Sequence, residues 1–174
     1  MKRKMEARLL EWKHRRENRK PLLVNGARQV GKTYLLREFG EKYFKNTVYI
    51  NLEVNRQVRA YFEENLEPEK LLLFLEAVAG EKIIPQETLI ILDEIQACEK
   101  ALTSLKYFYE EMPEYHIAAA GSLLGVAINR NEYSFPVGKV ETMELFPMDF
   151  EEFLWALGKE FIVSRIRETI NSFP

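Results

Sequence analysis

Gly26-Ala27-Arg28-Gln29-Val30-Gly31-Lys32-Thr33 satisfies every fixed position of the phosphate-binding loop pattern G-x-x-x-x-G-K-[ST]. A loop that wraps a polyphosphate turns its backbone N–H groups inward, and a Cβ at Gly26 or Gly31 would obstruct that turn or the phosphate's approach. Ala27, Arg28, Gln29 and Val30 supply the rest of the cradle. Lys32 reaches the β and γ phosphates, and Thr33 offers its hydroxyl to Mg²⁺. A helix starting near Gly31 would point its free N–H groups and the positive end of its dipole at the anion.

The flanks give the loop its setting. Pro21-Leu22-Leu23-Val24-Asn25 is a short apolar run suited to a buried strand, and Leu36, Phe39 and Tyr43 recur at helical spacing after the loop. Strand, loop and helix therefore stand in the order that phosphate binding needs.

Outward from this centre, 174 residues at 47% hydrophobic and 30% charged describe one ordinary core. The net charge of -2 gives no general attraction to nucleic acid, but residues 1–20 hold nine Lys or Arg against three Glu. That basic start could touch phosphates, including those of nucleic acid, or an acidic partner; a solvated helix face is the expected reading. Cys98 is the sole cysteine, which excludes an intrachain disulfide and suits a reducing cytosol; it reads as a half-buried apolar residue. Glu6, Arg8, Glu11 and Lys13 break up any secretory leader, and no run approaches the roughly 20 apolar residues of a membrane span. The expectation is a soluble, cytoplasmic protein with no membrane partner.

Taken in order, Met5, Leu9 and Trp12 recur at i, i+4, i+7, so residues 3–17 read as an amphipathic helix. Thr47 to Leu52 is β-branched and aromatic, a second strand, with Glu53 just past its end. Val54 to Asn65 reads as helix, and Pro68 starts another in which Leu71, Leu72, Leu75 and Val78 form the buried stripe up to Gly80. Leu89-Ile90-Ile91-Leu92 is the continuous apolar run of a strand buried on both faces of a parallel sheet. A helix from Glu99 to Met112 leads to a strand at Tyr115 to Ala120, whose small alanines suggest crowding by helices on both sides. A flexible section from Leu123 to Gly138 precedes a last strand, Lys139 to Leu145. Asp149 and Glu152 fit a capping box, with Met148 placed to staple against Phe153 and Phe150, Phe153, Leu154 and Leu157 as the apolar face. Glu160 to Asn171 is again helical, and the chain stops at Pro174 with no terminal feature, which reads as a cut. The expected division is a core over residues 1–157 and the start of a helical extension over 158–174.

Asp93-Glu94 at the tip of the apolar run supplies the second half of a nucleotide hydrolysis site. A carboxylate there lies beside the phosphate loop: Asp93 would hold Mg²⁺ through water, and Glu94 would orient or deprotonate the attacking water. Ser122, just past the alanine strand, is placed to touch the γ phosphate or that water if its strand lies between the other two; an ordinary Gly-Ser turn is the equal alternative. His14 and His116 are far apart, without the surrounding spacing of a metal site, and read as surface or core residues.

The loop at 26–33, Leu89 to Gln96, Gly121-Ser122 and Leu145-Phe146-Pro147-Met148-Asp149-Phe150-Glu151-Glu152-Phe153-Leu154 together resemble the AAA-type P-loop ATPases of bacteria and archaea over most of residues 15–157. The resemblance implies an α/β fold, a three-layer P-loop NTPase core around a five-stranded parallel sheet in the order 5-1-4-3-2. It implies ATP and Mg²⁺ as ligands, and Asp93, Glu94 and Ser122 in the roles already argued. Family members continue into a C-terminal region, so an attached or partner domain is expected. Gly138-Lys139 stands where such proteins commonly carry Gly-Arg, and lysine lacks the guanidinium fork. Arg28 and Arg130 are the remaining candidates for a transition-state arginine, and for both a solvated surface role is expected.

The leading reading is an ATP hydrolase that drives a conformational change in such a domain, slow in isolation. A nucleotide-controlled switch with little turnover is the rival from a second class. A small-molecule kinase would need a lid with several arginines, where Leu123 to Gly138 offers only Arg130. A DNA translocase rests on the basic start alone.

Overall fold

The computed structural model describes residues 2–122, 136 and 138–171. Most of the section expected to be flexible, with Arg130, and the end at Pro174 lie outside the described residues. Five strands, β1 (Leu22–Asn25), β2 (Asn46–Asn51), β3 (Thr88–Asp93), β4 (His116–Gly121) and β5 (Glu141–Glu144), form one sheet in the order β2-β3-β4-β1-β5. Every pairing is parallel, with Leu22 opposite both Ala118 and Glu141, and Asn51 opposite Asp93. Read from the other edge this is 5-1-4-3-2, the order that the resemblance implies.

Seven helices surround the sheet among the described residues: α1 (Met5–His14), α2 (Lys32–Tyr43), α3 (Arg56–Glu64), α4 (Pro68–Ala79), α5 (Glu99–Glu111), α6 (Phe150–Ala156) and α7 (Glu160–Asn171). Alternation along β3 sorts the core into two layers. Leu89 and Ile91 face Met5, Leu9 and Trp12 of α1 and Leu35, Leu36 and Phe39 of α2. Ile90 and Leu92 face Val58 and Phe62 of α3, Leu71 and Leu75 of α4 and Leu105 and Phe108 of α5. All six residues of β3 are buried, and each large apolar side chain so placed contributes about 1.5–3 kcal/mol. Ala118, Ala119 and Ala120 of β4 are wholly inaccessible between β1 and β3, where larger side chains would displace the helices on either face.

Local chemistry sets the helix ends. Pro68 opens α4 and Gly80, at φ 70°, closes it in the left-handed region. Asp149 accepts from Glu152 N at 2.9 Å while the Glu152 carboxylate accepts from Asp149 N at 3.2 Å, the reciprocal pair expected at the start of α6.

Three expectations are corrected. Cys98 is buried rather than half-buried, packed in the α3–α5 layer. α1 spans Met5–His14, shorter than 3–17, because extended backbone at Arg15 ends it. Of the apolar face on α6 only Leu154 is buried; Phe150, Phe153 and Leu157 are exposed, as is Met148. Most cations of the basic start stay exposed, as a solvated face requires, and several of them pair across the surface while Arg3 and Arg19 alone are buried. Lys4 pairs with Asp149 and Glu151, Arg15 with Glu141 and Lys2 with Glu160, and buried Arg19 donates to the carbonyls of Pro113 and Glu114 at 2.9 and 3.1 Å.

Candidate functional site

β1, β3 and β4 lie side by side and end at the same edge, so whatever follows each strand converges there. The strand order also reverses direction around β1, the place where open parallel sheets form a crevice. A cleft of about 470 Å³ occupies this edge, lined by Arg28, Gln29, Gly31, Lys32, Thr33, Tyr34, Glu53, Glu94 and Ser122.

The loop keeps its shape by close contacts. Asn25 Oδ1 accepts from Gly26 N at 2.8 Å, and a Cβ on Gly26 would lie 2.3 Å from the Leu145 carbonyl oxygen. The need for glycine at position 26 thus comes from the backbone that follows β5. Gly31, at φ 96°, is the residue before α2, and Leu35 N donates to its carbonyl at 2.9 Å as the first helical bond. Lys32 is buried and donates to the carbonyls of Gly26 and Ala27 at 2.9 and 2.7 Å, which curls the loop around its ammonium. Burial lowers the Lys32 pKa, an effect opposed by the charges of Glu94 and Asp93.

Asp93 sits behind Thr33, 3% exposed, and its carboxylate is fully engaged. Oδ2 accepts from Thr33 Oγ1 and from Tyr49 OH, each at 2.8 Å, and Oδ1 accepts from Glu94 N at 3.0 Å. Tyr49 comes from β2, and burial followed by the neighbouring Asp93 raises its pKa. Glu94 adopts a left-handed backbone, φ 51° and ψ 48°, which costs a non-glycine residue about 1–2 kcal/mol and turns the chain abruptly into the 3₁₀ segment Ile95–Ala97. Its carboxylate accepts from Gln96 Nε2, while Gln96 Oε1 is buried without a partner among the described residues. Ser122 is 1% exposed and lines the cleft, and its Oγ has no partner among the described residues.

Gly26, Ala27, Val30 and Asp93 do not line the cleft: the first two present carbonyls to Lys32, and Asp93 is reached through Thr33. Arg28 lines it. Lys139 lies at the opposite edge, before β5 begins, and pairs with Glu110 at 3.0 Å. Arg167 makes a two-pronged pair with Glu151, and Arg165 pairs with Glu168. Sequence reasoning gave no role to Tyr34, Glu53 or Tyr49. Glu53 had a signal in its place just past a strand end; Tyr49 had none, because its partner is 44 residues away. His116 is buried, edge-on to Trp12 and Phe44, and burial lowers its pKa to about 4.

A family model described as an AAA domain matches residues 18–154. No curated protein matches the chain. Among solved structures, the Aeropyrum pernix ORC1 protein in complex with DNA is similar at 18% identity over 92% of this chain and 50% of that one, with a TM-score of 0.54. C. elegans PCH-2 is similar at 17% identity over 92% of this chain and 45% of that one, with a TM-score of 0.43. The chain spans about half the length of these structures, and at such identity the ORC1 likeness speaks for the fold alone. The family match spans the loop, the Asp93-Glu94 strand end and Ser122. With four fifths of the sequence inside it, the chain is a nucleotide-binding domain of the ATPase type and belongs to the AAA domain family.

Proposed function

We propose that this protein binds ATP with Mg²⁺ in the cleft at the end of β1, β3 and β4 and hydrolyses it slowly. The observation that carries this is the meeting of Lys32, Thr33, Glu94 and Ser122 in one cleft, with Asp93 bonded to Thr33 directly behind it. Lys32 exchanges its two carbonyl partners for phosphate oxygens, and the loop at Arg28, Gln29 and Gly31, which lines the cleft, wraps the polyphosphate. Thr33 and Asp93, two oxygen donors already in contact, suit a hard divalent cation. Mg²⁺ held by them would neutralise charge on the phosphates. Glu94 takes a proton from water, the water oxygen bonds to the γ phosphorus, and the bond to the β-phosphate oxygen breaks with ADP leaving. Ser122, its hydroxyl buried and without a partner among the described residues, donates to the γ phosphate or orients the water.

One observation favours a switch-like rate. Among the described residues Arg28 is the one arginine lining the cleft, and a transition-state arginine is worth 10³ to 10⁵ in rate. Arg28 belongs to the loop itself, so turnover of about 10⁻² s⁻¹ or below is expected until a partner or another segment supplies a further arginine. Residues 1–157 then act as the ATPase core in the cytoplasm, and the helix from Glu160 starts an extension that passes the nucleotide state to an attached or partner domain.

Thermal unfolding tests the site. Mg-ATP at about 100 times its Kd adds roughly 2.7 kcal/mol. For a domain of this size that raises the melting temperature by roughly 5 to 11 °C. Lys32→Ala should abolish the shift, and a parent protein whose melting temperature ignores saturating Mg-ATP would sink the reading.

A further inference from the structure

Arg3 belongs by sequence to a charged, terminal stretch, yet it is only 4% exposed. Its guanidinium reaches three places that are distant in the chain. Nη1 donates to the Val30 carbonyl at 3.1 Å, Nη2 donates to the Phe146 carbonyl at 2.6 Å, and Nε lies 3.2 Å from Glu152 Oε1. Glu152 is itself 6% exposed. The same carboxylate accepts from Lys4 N at 2.7 Å and from Asp149 N at 3.2 Å, so it starts α6 while neutralising Arg3.

The contact with Val30 has a directional consequence. The Val30 carbonyl and the Gly31 N–H belong to one planar trans peptide and point in opposite directions. A guanidinium that holds the carbonyl on one side of the loop therefore aims the Gly31 N–H to the other. Gly31 lines the cleft, and the Arg3 head lies behind it, with Nη1 3.8 Å from where a Gly31 Cβ would stand. A planar fork can hold the Val30 and Phe146 carbonyls together, which a lysine ammonium on a flexible stem cannot do with the same fixed geometry.

We propose that Arg3 is a positioning residue for the nucleotide, aiming the Gly31 N–H into the cleft, and that its pairing with Glu152 makes α6 respond to nucleotide binding. This rests on the reading of the cleft as the ATP site. A phosphate that draws the Gly31 N–H inward rotates the shared peptide, shifts the Val30 carbonyl against Arg3, and tightens or loosens the start of α6 through one buried charge pair.

The test measures Mg-ATP affinity by calorimetry and hydrogen exchange over 150–156, each in the parent, Arg3→Lys and Glu152→Gln. Arg3→Lys keeps the charge without the fork; Glu152→Gln keeps an acceptor for the α6 cap without the charge. Arg3→Lys should weaken Mg-ATP by about tenfold or more, the scale expected of a displaced binding group. Mg-ATP should change exchange in α6 of the parent and leave both variants unchanged. A purely structural role would lower the melting temperature of the nucleotide-free protein and leave the affinity and the exchange response intact. A folded Arg3→Lys with the parental Kd, or an α6 response equal in parent and variants, overturns the proposal. Should Arg3→Lys not fold, Glu152→Gln decides by the same α6 response. A parent that binds no Mg-ATP rejects the nucleotide reading, and the role of Arg3 with it.

Discussion

The strand edge that carries the cleft and the helical pair α6–α7 solve opposite problems. At the edge, charged groups are buried and matched, since Asp93 accepts three hydrogen bonds and Lys32 is held by two carbonyls, while the Ser122 hydroxyl has no partner among the described residues. Along α6–α7, large apolar groups are exposed, among them Phe150, Phe153, Leu157, Phe161, Ile162 and Ile170, while the two helices are joined at their surface by the Glu151–Arg167 pair. Buried polar groups cost several kcal/mol unless paired, so their arrangement has little freedom; exposed apolar ones cost little and leave a face uncommitted. The first region is shaped for chemistry, and the second is anchored to the body mainly by Leu154, Val163 and the charges of residues 2–4.

The largest expected contrast is catalytic. Glu94→Gln should lower single-turnover hydrolysis by about two to four orders of magnitude and leave Mg-ATP binding in place, since the amide nearly matches the carboxylate in shape but not in basicity. Exposed charges on α7, such as Arg165, should leave the rate unchanged on substitution. A Glu94→Gln protein turning over at the parental rate would break the contrast and move the water-positioning role to Gln96.

Acid sharpens the comparison next. His116, ordinarily near 6.5, is held at about 4 in the folded chain, so between those values the unfolded state binds more protons and stability falls as the pH is lowered. The loss runs at about 1.4 kcal/mol per pH unit and reaches at most about 3 kcal/mol, with the full contribution restored above roughly pH 6.5. Glu151, lowered to about 2 by Arg167 and Lys4, stays ionised across that window. Urea midpoints measured from pH 7 to 4 should therefore show the sheet losing stability while the α6–α7 ion pairs persist. A His116→Gln protein with the same pH slope would assign the loss elsewhere.

The smallest effects lie within α6 itself. Leu154→Ala should cost about 2–3 kcal/mol in urea unfolding, because it empties a buried site. Phe153→Ala, one residue away and exposed, should change stability by less than about 0.5 kcal/mol. Equal costs would mean that the two sides of this helix are covered alike.

That last pair also marks where sequence reading stopped. The loop, the alternating layers of β3 and the alanines of β4 were legible because each requirement is local: a run buried on both faces reads as such wherever it lies. Phe150, Phe153, Leu154 and Leu157 were legible as a periodic face, but periodicity does not say what covers a face, and here only Leu154 is covered. Arg3 was opaque for a related reason. Its partner Phe146 is 143 residues away, and a charge near a chain start looks solvated until the fold brings a carboxylate and two carbonyls around it. Within the cleft, the clustering of Glu94 and Ser122 with the loop follows from strand order, which the resemblance implied and single residues did not.

Gly26 makes a final point about how such motifs diverge. Its missing Cβ accommodates the Leu145 carbonyl at 2.3 Å, a constraint that holds with or without a phosphate in the loop. A descendant of this domain that had ceased to handle nucleotides would still be selected to keep that glycine, while Lys32 and Thr33 would be free to drift. In distinguishing working members from decayed ones, the first glycine of the pattern therefore reports on folding as well as use, and the lysine and threonine are the clearer record of use.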